Sequence, residues 1–285
     1  MKNNAEMKLA SAVIIFGTIS LFVRRIALTS AEIALFRAVL AVIMIGAYLL
    51  LTKNTGGFRG IGRNLFFFLL SGAAMGVNWI LLFEAYRYTT VSAATLSYYF
   101  APSIVMVLCA VLFHEKMTAR QWFCFAMSTL GIVMITGTGD LSTGSSHHRG
   151  IMYGLGAACL YAFVVILNKM IRDTDGIHRT FLQFLAAAAV VFPYVMAKGG
   201  ISFAAVDLTG WLCLLTIGAV HTGIAYCLYF SALKELPGQK TAILSYLDPL
   251  TAVLISVLIL SEPMSLIQVI GGLLVLGFTL LNELA

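Results

Sequence analysis

Residues 98–115 read Tyr-Tyr-Phe-Ala-Pro-Ser-Ile-Val-Met-Val-Leu-Cys-Ala-Val-Leu-Phe-His-Glu. This is an apolar run with Pro102 near its middle and a carboxylate, Glu115, at its end. The pattern returns 147 residues later, where Tyr246, Pro249 and Glu262 repeat the spacing of Tyr99, Pro102 and Glu115. The same offset holds without a gap from Gly76/Gly223 through Leu81/Leu228, Phe83/Phe230, Ala85/Ala232 and Arg87/Lys234 to Met117/Met264 and Gln121/Gln268. Two copies of one unit are therefore predicted, at 1–137 and 150–285, joined by a Gly/Ser/Thr-rich linker loop at 138–149.

The 285 residues are 60% hydrophobic and 11% charged, with a mean hydropathy of +0.96. A soluble chain carries about a quarter charged residues, so this one cannot cover its surface with charge and reads as an integral membrane protein. A helix needs roughly 20 apolar residues to cross the hydrocarbon core. Ten such segments are read at about 9–28, 31–52, 65–86, 92–113, 119–137, 150–170, 178–197, 209–231, 241–260 and 265–283. Alternation of period two is absent, which argues against a β-barrel. The fold expected is all-α with ten transmembrane helices, and its connections leave no room for a soluble domain.

Basic residues in the short loops set the orientation. With the N-terminus in the cytoplasm, twelve of the 18 Lys and Arg fall inside, five fall outside, and Arg37 lies within a segment. Both termini are thus expected in the cytoplasm. Each copy holds five segments, an odd number, so the second enters the membrane from the opposite side and the pair forms an inverted repeat. Arg24 and Arg25 break the charge rule; they snorkel at the outer interface or point into a wet cavity. The first segment follows Lys2 and Lys8 but lacks a small-x-small cleavage site, so it is expected to be retained. All five cysteines lie in segments and read as packing residues rather than disulfides or metal ligands. His147 and His148 read as part of a solvated loop. No basic stripe interleaved with aromatics points to nucleic acid. Trp122 and Trp211 occupy interface-belt positions, whereas Trp79 sits near mid-segment.

These residues resemble a known family. Ala94-Thr-Leu-Ser-Tyr-Tyr-Phe-Ala-Pro102, followed by Glu115-Lys-Met-Thr and Gln121, is similar to the EamA-type transporters of the drug/metabolite transporter superfamily. The second copy, Ala242-Ile-Leu-Ser-Tyr-Leu-Asp-Pro249 with Glu262-Pro-Met-Ser and Gln268, matches again, and Ala31-Glu-Ile-Ala-Leu-Phe-Arg37 resembles the family's second-helix start. The resemblance covers nearly the whole chain. It implies ten helices in a 5+5 inverted repeat around a central cavity. It also implies alternating-access movement of small polar metabolites, often amino acids and often outward, across the cell membrane.

Several residues are candidates to carry that movement. Pro102 and Pro249 remove backbone donors, so the carbonyls of Tyr98 and Ser245 lose their helical partners; paired hinges and static kinks both fit. Asp248 is the lone carboxylate near a segment centre, and burying it unpaired costs about 2.5–3.5 kcal/mol. It should face the interior, binding a substrate amine, carrying a proton or pairing with Arg37. Arg37 is suited to a substrate carboxylate, or to pairing with Glu32 or Asp248. His221 has an unperturbed pKa of about 6.5, which suits proton coupling or plain helix packing. Asn78, Trp79, Tyr98, Tyr99, Tyr161, Tyr226 and Tyr246 offer aromatic walls with polar tips at similar depth. Glu84 and Arg87 are spaced to pair locally. Glu115 and Glu262 read as structural residues at helix ends, with gating as the alternative. Gly72-x-x-x-Gly76 is a small-xxx-small pattern expected to pack helices within one chain, so a monomer is expected.

The leading reading is a secondary transporter; no cofactor is expected. A phosphate-binding Gly-Lys-Ser/Thr loop is absent, so coupling would be to a proton, a counter-solute or the substrate gradient. An uptake permease is the alternative. An intramembrane enzyme lacks His-Glu-x-x-His, Gly-x-Ser-x-Gly and a midplane carboxylate pair in the sequence. A channel fits paired proline-broken helices less well than a carrier does. The partners expected are a small-molecule substrate and the lipid bilayer.

Overall fold

The computed structural model describes residues 2–53, 61–114, 116–137, 144–171, 176–233 and 235–284. Helices account for nearly all of them, and no strand occurs among the described residues. The first helix, α1 (Lys2–Gly17), is interrupted at Thr18 and resumes as α2 (Ile19–Val23). There follow α3 (Ser30–Leu51), α4 (Ile61–Tyr88), α5 (Val91–Tyr98), α6 (Ala101–Leu112), α7 (Ala119–Gly137), α8 (Gly144–Met170) and α9 (Gly176–Ala197). Then come α10 (Leu208–Thr216), a π-helical stretch at Ile217–Ile224, and α11 (Ala225–Leu233). Next are α12 (Gly238–Ser245), α13 (Leu247–Leu254), a second π-helical stretch at Ile255–Ile259, and α14 (Leu266–Glu283). Among the described residues, eight continuous or near-continuous helices are long and apolar enough to cross a membrane, and Ile243–Ile259 is a shorter apolar one.

The two proline segments break where the repeat pattern predicts. The α5–α6 join turns at Tyr99 and Phe100, with Pro102 the second residue of α6. The α12–α13 join turns at Tyr246, with Pro249 the third residue of α13. Proline is tolerated in a helix's first turn because no amide is needed there. Each proline therefore opens a new short helix rather than bending an old one.

Loop chemistry repeats as well. Thr118 and Gln121 exchange hydrogen bonds across the start of α7 (Thr118 N to Gln121 Oε1 2.8 Å, Gln121 N to Thr118 Oγ1 3.2 Å). Ser265 and Gln268 do the same at the start of α14, at 3.0 and 3.2 Å. These are capping boxes, and they explain why Gln121 and Gln268 recur at one offset. His114 and Ser261, also offset mates, both hold left-handed backbone, at φ 54° and 53°.

Packing rests on small residues. Gly72 lies against α9, where an added Cβ would stand 2.5 Å from both Ala186 Cβ and the Gln183 carbonyl oxygen. Gly76 meets Val191 and Ala187 on the same helix. The small-xxx-small pattern thus joins α4 to α9 inside one chain. Helices α7 and α14 meet glycine to glycine, with a Cβ at Gly131 falling 2.5 Å from the Gly271 carbonyl oxygen. Polar contacts add to this: Gln183 Nε2 donates to Ser71 Oγ at 2.8 Å and to Asn168 Oδ1 at 2.7 Å, tying α4, α8 and α9.

Three expectations are corrected. His147 is not in a solvated loop, because α8 already begins at Gly144. Its ring is buried, with Nδ1 2.7 Å from Thr89 Oγ1 and Nε2 3.3 Å from the Ile135 carbonyl oxygen. Arg87 does not pair with Glu84; it donates to the Leu28 carbonyl in the connection between α2 and α3. Glu32 does not pair with Arg37, because it closes the Thr29 capping box and accepts from Ser202 N at 2.7 Å. Glu115, Lys234 and residues 138–143 of the expected linker lie outside the described residues.

A leucine at position 72 would push into backbone that has nowhere to go. Gly72→Leu is expected to destabilise the fold by about 1–3 kcal/mol, read as a lower Tm in detergent.

Candidate substrate site

Arg37 stands on α3 a little over one turn beyond the capping-box residue Glu32. It is only 7% exposed. Its guanidinium carbon lies 4.4 Å from the Trp79 ring centroid, a cation–π contact, with Phe83 at 6.0 Å. Its Nε has no hydrogen-bond partner, and among the described residues it takes part in no ion pair. A charge in this setting is costly and marks a functional position. From Trp79 the aromatic wall continues through Phe184 (5.1 Å) to Tyr226 (5.2 Å), and Phe16 closes on Tyr226 at 5.0 Å.

Asp248 is the second residue of α13, so the break at Tyr246 places its carboxylate in a helix's first turn, where negative charge is favoured. Tyr99 Oη donates to its Oδ2 at 2.5 Å. The two therefore join the break of one expected repeat to the break of the other. A second aromatic series runs from Tyr246 to Tyr99 (6.4 Å), Tyr98 (5.8 Å) and Tyr161 (5.6 Å). Helix α1 crosses close beside Asp248: a Cβ at Gly17 would lie 2.6 Å from the Asp248 carbonyl oxygen. Arg37 and Asp248 form no ion pair with each other.

His221 sits in the first π-helical stretch and is 1% exposed. Its Nε2 is 2.8 Å from Thr18 Oγ1, its Nδ1 is 3.2 Å from the Thr216 carbonyl oxygen, and Phe22 stacks edge-on at 4.9 Å. Thr18 also donates to the Ile15 carbonyl at 2.8 Å. The break between α1 and α2 thus faces the π-helix, and the Thr18 hydroxyl and the His221 ring tie the two together.

Two cavities lie elsewhere in the structure. The first, about 350 Å³, is lined by Pro102, Met106, Lys116, Gln121, Tyr161 and Glu283 among others. The second, about 740 Å³, is lined by Arg24, Thr29, Glu32, Tyr86, Arg87 and Ser202 among others. Neither of these cavities is lined by Arg37 or Asp248. The first touches the aromatic series at Tyr161 and also reaches Pro102.

Most of the candidate residues are brought together, but not all in the role expected. Arg37 pairs with neither Glu32 nor Asp248. Asn78 is 2% exposed and donates to the Ala157 carbonyl at 2.5 Å, so its amide binds α4 to α8 instead of lining a wall. Tyr246 is buried and donates its hydroxyl to Thr279 Oγ1 at 3.0 Å. Sequence reading missed Phe184, Phe16, Thr18 and Gly17. None of them carries charge or breaks a pattern, and Gly17-Thr18 inside an apolar run was the one local signal of a helix break.

A many-helix membrane protein with opposite charges buried among aromatics has the form of a transporter. The chain belongs to the EamA-like transporter family, whose model matches residues 4–137 and 148–283, and is a membrane transporter of the drug/metabolite type. It is 27% identical over 271 residues to the uncharacterized transporter YxxF of Bacillus subtilis, covering 95% of this chain and 86% of that one. An uncharacterized transporter of Archaeoglobus fulgidus is 24% identical over 97% of this chain and 95% of its own length. Solute carrier family 35 member G1 of Mus musculus is 25% identical over 73% of this chain and 59% of its own. One solved crystal structure matches with a TM-score of 0.64 at 17% identity, covering 98% of this chain and 96% of that one, which supports the fold alone.

Tyr99→Phe removes the donor to Asp248. The loss is expected to cost about 1.5–3 kcal/mol, the range for a hydrogen bond to a charged group, and to lower Tm by several degrees in a detergent melting experiment.

Proposed function

We propose that the protein is an alternating-access secondary carrier for small zwitterionic metabolites, amino acids or related compounds, across the cell membrane. The observation that carries this reading is the separation of two enclosed opposite charges. Arg37 is buried on an aromatic face with Nε unpartnered, and Asp248 is held by Tyr99, yet the two do not form an ion pair. A solute with a carboxylate and an ammonium would bridge them, replacing the hydration both charges lack. The walls formed by Trp79, Tyr98, Tyr99, Tyr161 and Tyr226 would cover its carbon skeleton. His221, buried beside Thr18 and the Thr216 carbonyl, would be the group through which a proton couples.

The carrier is proposed to have ten crossings in a 5+5 inverted repeat, with units at 1–137 and 150–285 and both termini in the cytoplasm. Ala119–Gly137, at 19 residues, and Ile243–Ile259 would complete the eight long helices. Pro102 and Pro249 would act as paired hinges, since each stands just past a break in its segment. Export is the proposed direction, on the family likeness; an uptake permease would use the same geometry. A single chain suffices, because its small-residue stripes are already filled internally.

A detergent thermal-shift screen with amino acids should find stabilising ligands. Those ligands should then show saturable counterflow in vesicles holding the purified protein; a response linear in concentration, without counterflow, would indicate a channel instead. Asp248→Asn should lower counterflow at least tenfold while Tm moves by a few degrees at most; equal counterflow would remove Asp248 from the site. Pro102→Ala and Pro249→Ala should slow exchange several-fold yet keep ligand-induced stabilisation, and unchanged exchange in both would reject the hinges.

A further inference from the structure

The second hollow ends in a contact that the carrier reading does not use. Arg24, at the C-terminal end of α2, forms an ion pair with Glu262, in the turn between the second π-helical stretch and α14. The same guanidinium donates from Nε to the Tyr86 carbonyl at 3.1 Å and from its second terminal nitrogen to the Thr89 carbonyl at 2.8 Å. It thereby satisfies two carbonyls at the end of α4. The other oxygen of Glu262 accepts from Val91 N at 2.8 Å, the first amide of α5, and from Ser256 Oγ. Ser256 Oγ accepts in turn from Ser92 N at 3.2 Å, and Glu262 N donates to the Ser256 carbonyl at 2.9 Å. One carboxylate thus holds an arginine, a helix N-terminus and a serine, and it joins the ends of α2, α4 and α5 to the segment after α13.

We infer that this clasp is the outer gate: Arg24 and Glu262 lock the two halves together on one face of the membrane, and the face opens only when their ion pair breaks. Three observations carry it. Every bond across the clasp runs between the first half of the chain and the second, or completes a helix end that the crossing bonds rely on. The Glu262 side chain is 11% exposed and the Arg24 side chain 28%, so solvent and salt screen the pair only in part. The other hollow, reached from Pro102 and Tyr161, runs to Lys116 and Glu283 on the opposite face. Together these describe a state shut at the clasp. The position also accounts for Arg24 standing where the loop-charge rule disfavours a cation.

The inference rests on the carrier reading, and its test uses no substrate, so the two can fail separately. Thr95, one turn below Val91 and buried, is changed to Cys in a chain whose five native cysteines are replaced by alanine. Labelling by a membrane-impermeant maleimide is then followed from the clasp side. Glu262→Gln keeps an oxygen for Val91 N but removes the charge, and should speed labelling about tenfold, equivalent to about 1.4 kcal/mol. Arg24→Gln should do the same, and the double variant should add little, because each change breaks the same pair. Independently, spin labels at Arg25→Cys and Leu266→Cys, which flank the clasp, should report one short distance in the parent and a longer population in Glu262→Gln. Unchanged labelling together with an unchanged distance would overturn the gate. So would full additivity of the two substitutions.

Discussion

Main chain that crosses hydrocarbon must find all its hydrogen-bond partners inside the protein. Among the described residues this chain interrupts its helices inside apolar segments in three places and loosens two more turns into π geometry, so the constraint governs nearly everything else. The solution is reciprocal. The Thr18 hydroxyl at the first break meets the His221 ring, whose other nitrogen lies 3.2 Å from the Thr216 carbonyl at the head of the π-helix. The breaks at Tyr99 and Tyr246 lie side by side, one donating a hydroxyl to the carboxylate that follows the other. Four of these five irregularities face another one.

The charges follow from those breaks. A carboxylate is tolerable at Asp248 because a helix begins there and a tyrosine reaches it. An arginine is tolerable at position 37 because an indole face takes the place of water. Each charge is individually supported, which leaves them free of one another. Two supported charges at a distance form a polar seat in an otherwise apolar interior. One direct ion pair would have cancelled it.

Much of this was legible in the residues. Apolar segments gave most helices within a few residues, and a constant offset paired the two proline breaks and the glutamines, Gln121 and Gln268, that turn out to close capping boxes. Asp248 and Arg37 stood out because isolated charges in apolar runs need a reason. Contacts made by neutral groups were not legible. Nothing in Asn78 announces that its amide is committed to the Ala157 carbonyl, and nothing in Phe184 announces that it links Trp79 to Tyr226. His147 was misread because a Gly/Ser-rich stretch suggests a loop, whereas α8 starts six residues earlier than hydropathy alone indicated. The pairing of Arg24 with Glu262 spans 238 positions, and no local pattern reports a contact of that length.

The glycine contact between α7 and α14 has a further consequence. There the main chain of one half rests directly on the main chain of the other, with Gly131 against the Gly271 carbonyl and Gly271 against that of Gly131. A methyl group gained on either side is felt first by the backbone of its counterpart. Along this seam the halves are therefore not free to drift apart in composition: a change tolerated in one is decided by the space left in its twin.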